Sequence, residues 1–137
     1  MTRDNILADK SINFAIRMAK CYSYLMEERK EFIMSKQMLR SGTSIGANVR
    51  ESVNAQSKLD FINKLNIALK ESNETEYWLE LLYETDYIEE KMFNSFITDN
   101  HNISGTLVNI IKSTKNNINN INNPKIESDN GEDEGAA

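Results

Sequence analysis

S-I-G-A-N-V-R-E, residues 44–51, is the stretch whose periodicity decides the fold of this chain. As a helix it places Arg40, Ser44, Asn48, Glu51 and Ala55 on one narrow stripe. Met38, Gly42, Ile45, Gly46, Val49 and Val53 then fall on the opposite face. The apolar face carries two glycines four residues apart, and each costs a helix roughly 1 kcal/mol relative to alanine. Close backbone approach to a neighbouring helix is the compensation that such a cost implies. The polar face is a spaced series of hydrogen-bonding groups rather than the usual charged filler, so a helix packed on both faces is expected.

Working outward, the rest of the chain is equally poor in helix breakers. It has 137 residues, one proline and five glycines, which favours long helices over short strands and turns. That length suits one domain with a substantial core. The longest apolar runs are only a few residues, too short to span a membrane, and the N-terminal M-T-R-D-N-I-L-A-D-K lacks the apolar region of a secretory signal. Cys21 is the only cysteine, so no intrachain disulfide is available, and a cytoplasmic location is expected.

Net charge is −5, unevenly spread. Residues 125–137 hold one Lys and five Asp/Glu, which leaves residues 1–124 almost neutral, with 15 basic and 16 acidic side chains. A balanced body with an acidic tail argues against strong non-specific nucleic-acid binding.

Four periodic segments follow one another. The first spans about 9–30, with Ile12, Ala15, Ile16, Ala19, Tyr22, Leu25 and Met26 as its apolar stripe and Lys10, Arg17 and Lys20 opposite. The second runs from a Ser35 cap to about Ala55. The third, about 57–85, is capped by Ser57 or Asp60 and buries Ile62, Leu65, Ala68, Leu69, Ser72, Leu79 and Leu82. Its Y-W-L-E-L-L-Y half is apolar around most of its circumference, which implies contact with another subunit. The fourth begins near Glu89–Met92 after a turn at 86–88. It carries Phe93, Phe96, Ile97, Ile103, Leu107, Ile110, Ile111 and Ile118, then fades into N-N-I-N-N-I-N-N-P, where Pro124 stops propagation. The short connections predict an all-α, up-down-up-down antiparallel four-helix bundle over 1–121, followed by a disordered Asn-rich and acidic tail at 122–137.

Catalytic chemistry finds no foothold in the residues. A di-metal bundle needs Glu-x-x-His pairs, but the chain has one histidine, His101, with Thr98 three before it. Cys21 sits beside Tyr22 with no histidine in sequence reach, as a small buried hydrophobe does. Phosphate-binding glycine loops, nucleophile elbows and zinc spacings are missing from the sequence, so no enzyme activity, cofactor or metal is expected. Glu71, Glu74, Glu80 and Glu84 read first as a solvated face. The sharper alternative pairs Glu71 or Glu74 with Arg40, Asn48 or Arg50 of the second helix. Lys10, Arg17 and Lys20 likewise read first as solvated, although repetition around an oligomer makes even a small basic patch multivalent.

The segment S-I-G-A-N-V-R-E, with S-K-L-D-F-I-N-K-L-N-I-A-L-K-E-S-N-E-T-E-Y-W-L-E-L-L after it, resembles the four-helix-bundle proteins of the 23S rRNA intervening-sequence family over about residues 5–117. The resemblance implies an antiparallel bundle assembled as a homopentameric ring, and it implies that Ser44, Asn48, Glu51, Glu71 and Glu74 are the family's characteristic polar positions. Ser52 stands where a glycine often follows the family's glutamate. A related branch, the accessory proteins of diversity-generating retroelements, works with a reverse transcriptase and RNA. That branch is strongly basic, and the balanced body here argues against it.

Two readings result. The first is a non-enzymatic, self-assembling interaction module in which Arg40, Ser44, Asn48, Glu51, Glu71 and Glu74 form an interface or polar network. The second is an RNA-binding protein, related to ribosomal RNA or to a retroelement reverse transcriptase, using Lys10, Arg17, Lys20, Lys36 and Arg40. On the first reading Glu51 is expected to sit at an interface or in a buried network.

Overall fold

The computed structural model describes residues 3–122, with side chains for 6–120. Four helices account for almost all of it: α1 (Arg3–Glu27), α2 (Met34–Ser52), α3 (Lys58–Glu84) and α4 (Glu90–Asn122). No strand occurs among the described residues, so the fold is all-α with four helices. Each helix packs on its neighbour in the chain, and α1 closes the circuit against α4. The expected tail falls, from residue 123 on, outside the described residues.

Helix α1 starts at Arg3, six residues before the expected boundary, and its inward face is only partly the expected one. Leu7, Ser11, Phe14, Met18, Cys21 and Leu25 are buried. Their alternating spacing of four and three is the seam a helix presents to near-parallel neighbours. Part of the anticipated stripe is rotated off the core, for Ile12 and Ile16 are 43% and 46% exposed, whereas its Leu25 is buried and its Tyr22 packs against the core. Helix α1 therefore carries two adjacent apolar stripes, and the core takes only one of them.

The start of α2 also differs from expectation. Ser35 lies inside the first turn, and Glu31 does the capping. Its carboxylate accepts from the amides of Ile33 (3.0 Å), Met34 (3.0 Å) and Ser35 (2.7 Å), while the Ser35 hydroxyl donates to the Glu31 carbonyl at 2.8 Å. An anion thus meets the positive pole of the helix and satisfies its unpaired donors. At α3 the cap is Ser57, whose Oγ accepts from the Asp60 amide at 3.0 Å. The same helix ends with Asp86 at φ 67°. There the amides of Asp86 and Tyr87 return to the carbonyls of Tyr83 and Leu82, which closes the helix in a Schellman motif.

Buried Ser11 and Ser52 bond carbonyls of their own helices, and one polar layer in the core bridges between helices. Thr75 Oγ1 donates to Ser41 Oγ at 3.0 Å, which joins α3 to α2. One turn earlier on α3, Ser72 Oγ donates to Asn100 Oδ1 at 2.7 Å, and Asn100 Nδ2 donates to the Ser72 carbonyl at 2.9 Å. All four side chains are buried, and no buried side-chain polar atom among the described residues lacks a partner.

The two glycines of α2 prove to have different roles. A Cβ on Gly42 would lie 2.6 Å from Met18 Cγ and 3.2 Å from Met18 Cβ, so that glycine is required by the α1–α2 approach. A Cβ on Gly46 would meet nothing closer than the Ser11 carbonyl and hydroxyl oxygens at 3.4 Å, an ordinary contact. Packing within the subunit does not account for Gly46.

Gly42→Ala is expected to destabilise the subunit by about 1–2 kcal/mol, because overpacking against Met18 outweighs the gain in helix propensity. Gly46→Ala should be neutral or up to about 1 kcal/mol stabilising for the isolated subunit. Denaturant titration of the two variants in parallel separates these outcomes.

Glu31 supplies a pH dependence. Burial alone would raise its carboxyl, but the amides of Ser35, Met34 and Ile33 outweigh burial and hold it below its ordinary 4.5. A lowered folded-state value means that the stability is fully present above the ordinary value and is lost as pH falls through the lowered one. Glu31→Ala should cost about 1–2 kcal/mol at neutral pH. The gap between wild type and variant should close on acidification, and thermal melts across that window check it.

Candidate functional site

The polar stripe of α2 is divided between two destinations. Arg40 reaches across to α3, where Nη1 donates to Glu71 Oε2 at 3.2 Å and Nη2 donates to Glu74 Oε2. Glu74 Oε2 also accepts from Trp78 Nε1 at 3.0 Å. The Trp78 donor and the Arg40 guanidinium together hold the Glu74 carboxyl below its usual value, and Glu74 in turn raises Arg40. Of the partners weighed for these glutamates, Arg40 is the one in contact. Asn48 and Ser44 instead turn back on their own helix: Ser44 Oγ donates to the Arg40 carbonyl at 2.6 Å, and Asn48 Nδ2 donates to the Ser44 carbonyl at 2.9 Å.

Glu51 stands apart from this cluster. It is exposed, and its contact within the subunit is Lys64 Nζ at 3.5 Å. Within the subunit the expected buried network does not include it. Arg40 is itself half exposed, so the cluster is a surface clamp between α2 and α3.

The basic residues divide as well. Arg17 is committed to α4, where its guanidinium donates to Asp99 and Ser95 Oγ and lies 4.6 Å from the centroid of the Phe96 ring. Arg40 is committed to Glu71 and Glu74. Lys10, Lys20 and Lys36 remain exposed, with no ion pair among the described residues.

Cys21 is buried, and burial pushes its thiol up to about 11 against the opposing pull of Arg17, so it is protonated at neutral pH. His101 is on the surface, with Nε2 2.6 Å from Glu76 Oε1. Among the described residues no group of three or more His, Cys, Asp or Glu side chains is placed to hold a metal. No helix of the described residues is long and apolar enough to cross a membrane.

An apolar concavity lies elsewhere, between α1 and α2. It is a groove of about 580 Å³ whose walls include Ala8, Ile12, Ala15, Gly46, Ala47 and Val53. Arg50 and Glu51 stand on its rim. The α1 stripe that the core leaves unused forms one wall. The signal for it was present in the sequence as the Ile12–Ala15–Ile16–Ala19 periodicity, and no sequence rule told it apart from the core stripe.

These features describe an all-α four-helix protein with a charged surface clamp and an apolar groove. The family model of the 23S rRNA-intervening sequence protein matches residues 3–109, and the chain belongs to that family. A crystal structure of a protein of unknown function from the S23 ribosomal protein family of Bacteroides thetaiotaomicron VPI-5482 is similar. Its sequence is 58% identical, the match covers 81% of this chain and 99% of that one, and the TM-score is 0.80. No curated protein is significantly similar in sequence.

The clamp and the isolated pair should behave differently on mutation. Glu74→Ala removes two acceptor contacts, so a loss of about 1 kcal/mol is expected, with a shift in the fluorescence of Trp78, the single tryptophan. Glu51→Ala should cost less than about 0.5 kcal/mol in the isolated subunit and leave that fluorescence unchanged.

Proposed function

We propose that this protein is a non-enzymatic, self-assembling interaction module of the cytoplasm, built as an up-down-up-down antiparallel bundle that closes into a homopentameric ring. The contact pairs support the bundle topology. Rising numbers on α1 meet falling numbers on α2, as in Ser11 with Gly46 and Met18 with Gly42. On α2 and α3, Arg40 meets Glu74 and Glu51 meets Lys64. On α3 and α4, Ser72 meets Asn100 and Tyr83 stacks on Phe93.

The observation that carries the assembly reading is the apolar surface the subunit leaves uncovered on two different sides. Ile12 and Ile16 on α1, with Val53 at the end of α2, form one side. Leu59, Ile67 and Tyr77 on α3 form the other. Two unlike faces support head-to-tail association, the kind of contact that generates rings. Five is the copy number that the family resemblance implies. Light scattering on a gel-filtration column is the test: a particle of five 15.7 kDa chains is expected, and a helical monomer at micromolar concentration would overturn the reading.

A second reading, contact with structured RNA, is favoured by the exposure of Lys10, Lys20 and Lys36. Repeated around a ring, these ammonium groups form a multivalent cationic surface. Binding of this kind weakens steeply with salt, and each lost phosphate contact lowers the logarithmic salt slope by about 1. Salt-insensitive or undetectable binding to structured RNA would remove this reading and leave the first intact.

A further inference from the structure

We propose that the α1–α2 groove of one copy receives the outward stripe of α3 from the next copy, with Ile67 as the inserted side chain. The proposal rests on the self-assembly reading and names the two surfaces that meet.

Gly46 provides the first argument. It carries the cost of glycine within a helix, yet a methyl group there would meet only ordinary contacts inside the subunit. It lies in the groove wall beside Ala47, opposite Ala8 and Ala15. Small residues at these positions deepen a trough flanked by the exposed Ile12 and Val53. The trough encloses about 580 Å³, and an apolar trough of this kind is the surface into which a helix lays its side chains.

The second argument is register. Interpolation between the Arg40–Glu71/Glu74 and Glu51–Lys64 contacts sets Gly46 and Ala47 level with residues near 67–69 of α3. Ile67, 42% exposed, therefore stands at the height of the groove, in the α3 row of Lys64, Glu71 and Glu74 that flanks α2. Leu59 opens α3 at the same end at which Val53 closes α2, and these two are 65% and 66% exposed. In a closed ring whose axis runs along the helices, each contact joins residues of equal height. The two faces satisfy that condition with Ile67 on the groove and Leu59 on Val53.

Charge complementarity is the third argument. Lys70, one turn beyond Ile67, is exposed and has no ionic partner among the described residues. Asp9, on α1 beside the groove and about one helical turn from Lys70 in height, is likewise exposed and has no ion pair among the described residues. On the α2 side, Arg50 has no ion pair among the described residues, and Asn63 and Asn66 on the α3 stripe carry amide oxygens that can accept from it. A cation on the stripe meets an anion on the groove, and a cation on the groove meets neutral acceptors.

Full-length protein carrying Ile67→Glu, Asp9→Lys, Lys70→Asp, or Asp9→Lys with Lys70→Asp tests this, with mass followed by light scattering through a dilution series and helicity by circular dichroism. All three sites are exposed, so helicity should be unchanged. Ile67→Glu is expected to raise the concentration of half-dissociation by about tenfold or more. Each single charge reversal should raise it severalfold, and the double swap should return it toward wild type. If wild type assembles and Ile67→Glu keeps the wild-type midpoint, or the swap fails to restore what the single reversals lose, the proposed pairing is wrong while self-assembly stands. A wild type that stays monomeric overturns both.

Discussion

The hydrogen bonds of Asn100 and Thr75 inside the apolar core are the constraint on which the rest of this structure depends. Apolar contact is non-directional, and a helix can slide by a turn while still burying leucine against isoleucine. A buried amide cannot slide without leaving a donor or acceptor unsatisfied, at about 1–3 kcal/mol each. Asn100 fixes α4 against Ser72, and Thr75 fixes α2 through Ser41, so α3 holds two neighbours at adjacent turns. Once those registers are set, the Arg40 clamp and the heights of both uncovered faces follow. A polar layer in the core thereby determines the geometry of the surface.

Much of this was legible in the sequence, and the failures have specific physical causes. Helix number and approximate bounds followed from a chain with few breakers and strong periodicity. The face of α1 did not. Leu7, Phe14 and Met18 lie about 100° or more around the helix from Ile12 and Ile16, both stripes are apolar, and of the expected stripe Leu25 is the residue fully buried. Periodicity detects a stripe but does not say what covers it. The wider apolar arc on α1 is what a helix shows when its core seam adjoins a second apolar strip. The α2 cap was missed because Glu31 lies four residues upstream of Ser35 and works by carboxylate reach, whereas pattern rules look for a short hydroxyl or Asx side chain at the cap itself.

The candidate polar stripe shows the same division between pattern and partner. Helical spacing correctly grouped Arg40, Ser44, Asn48 and Glu51, but spacing is silent on which groups turn inward. Ser44 and Asn48 bond carbonyls of their own helix, a local alternative open to any Ser or Asn there. Arg40 reaches α3 because Glu71 and Glu74 are three residues apart and so share one side of that helix. The commitment of Arg17 and Arg40 to carboxylates also changes the electrostatics of the RNA reading. Both guanidinium groups carry a compensating anion, and the cationic surface reduces to three separated lysines.

On the proposed reading, head-to-tail association through two modest faces would account for the isoleucines that one copy leaves exposed. A single such contact involves few side chains, and association costs several kcal/mol in lost translational and rotational freedom. An open chain of copies therefore gains little from each added subunit. Closure changes the balance, because the last contact forms between ends already held together, at a high effective concentration. A ring has as many contacts as subunits and no uncovered end, so both apolar faces of every copy are occupied at once. In the proposed pairing, the equal heights of Ile67 and the groove are what would permit closure, since an offset between them would turn the same contact into a helical filament with two exposed ends.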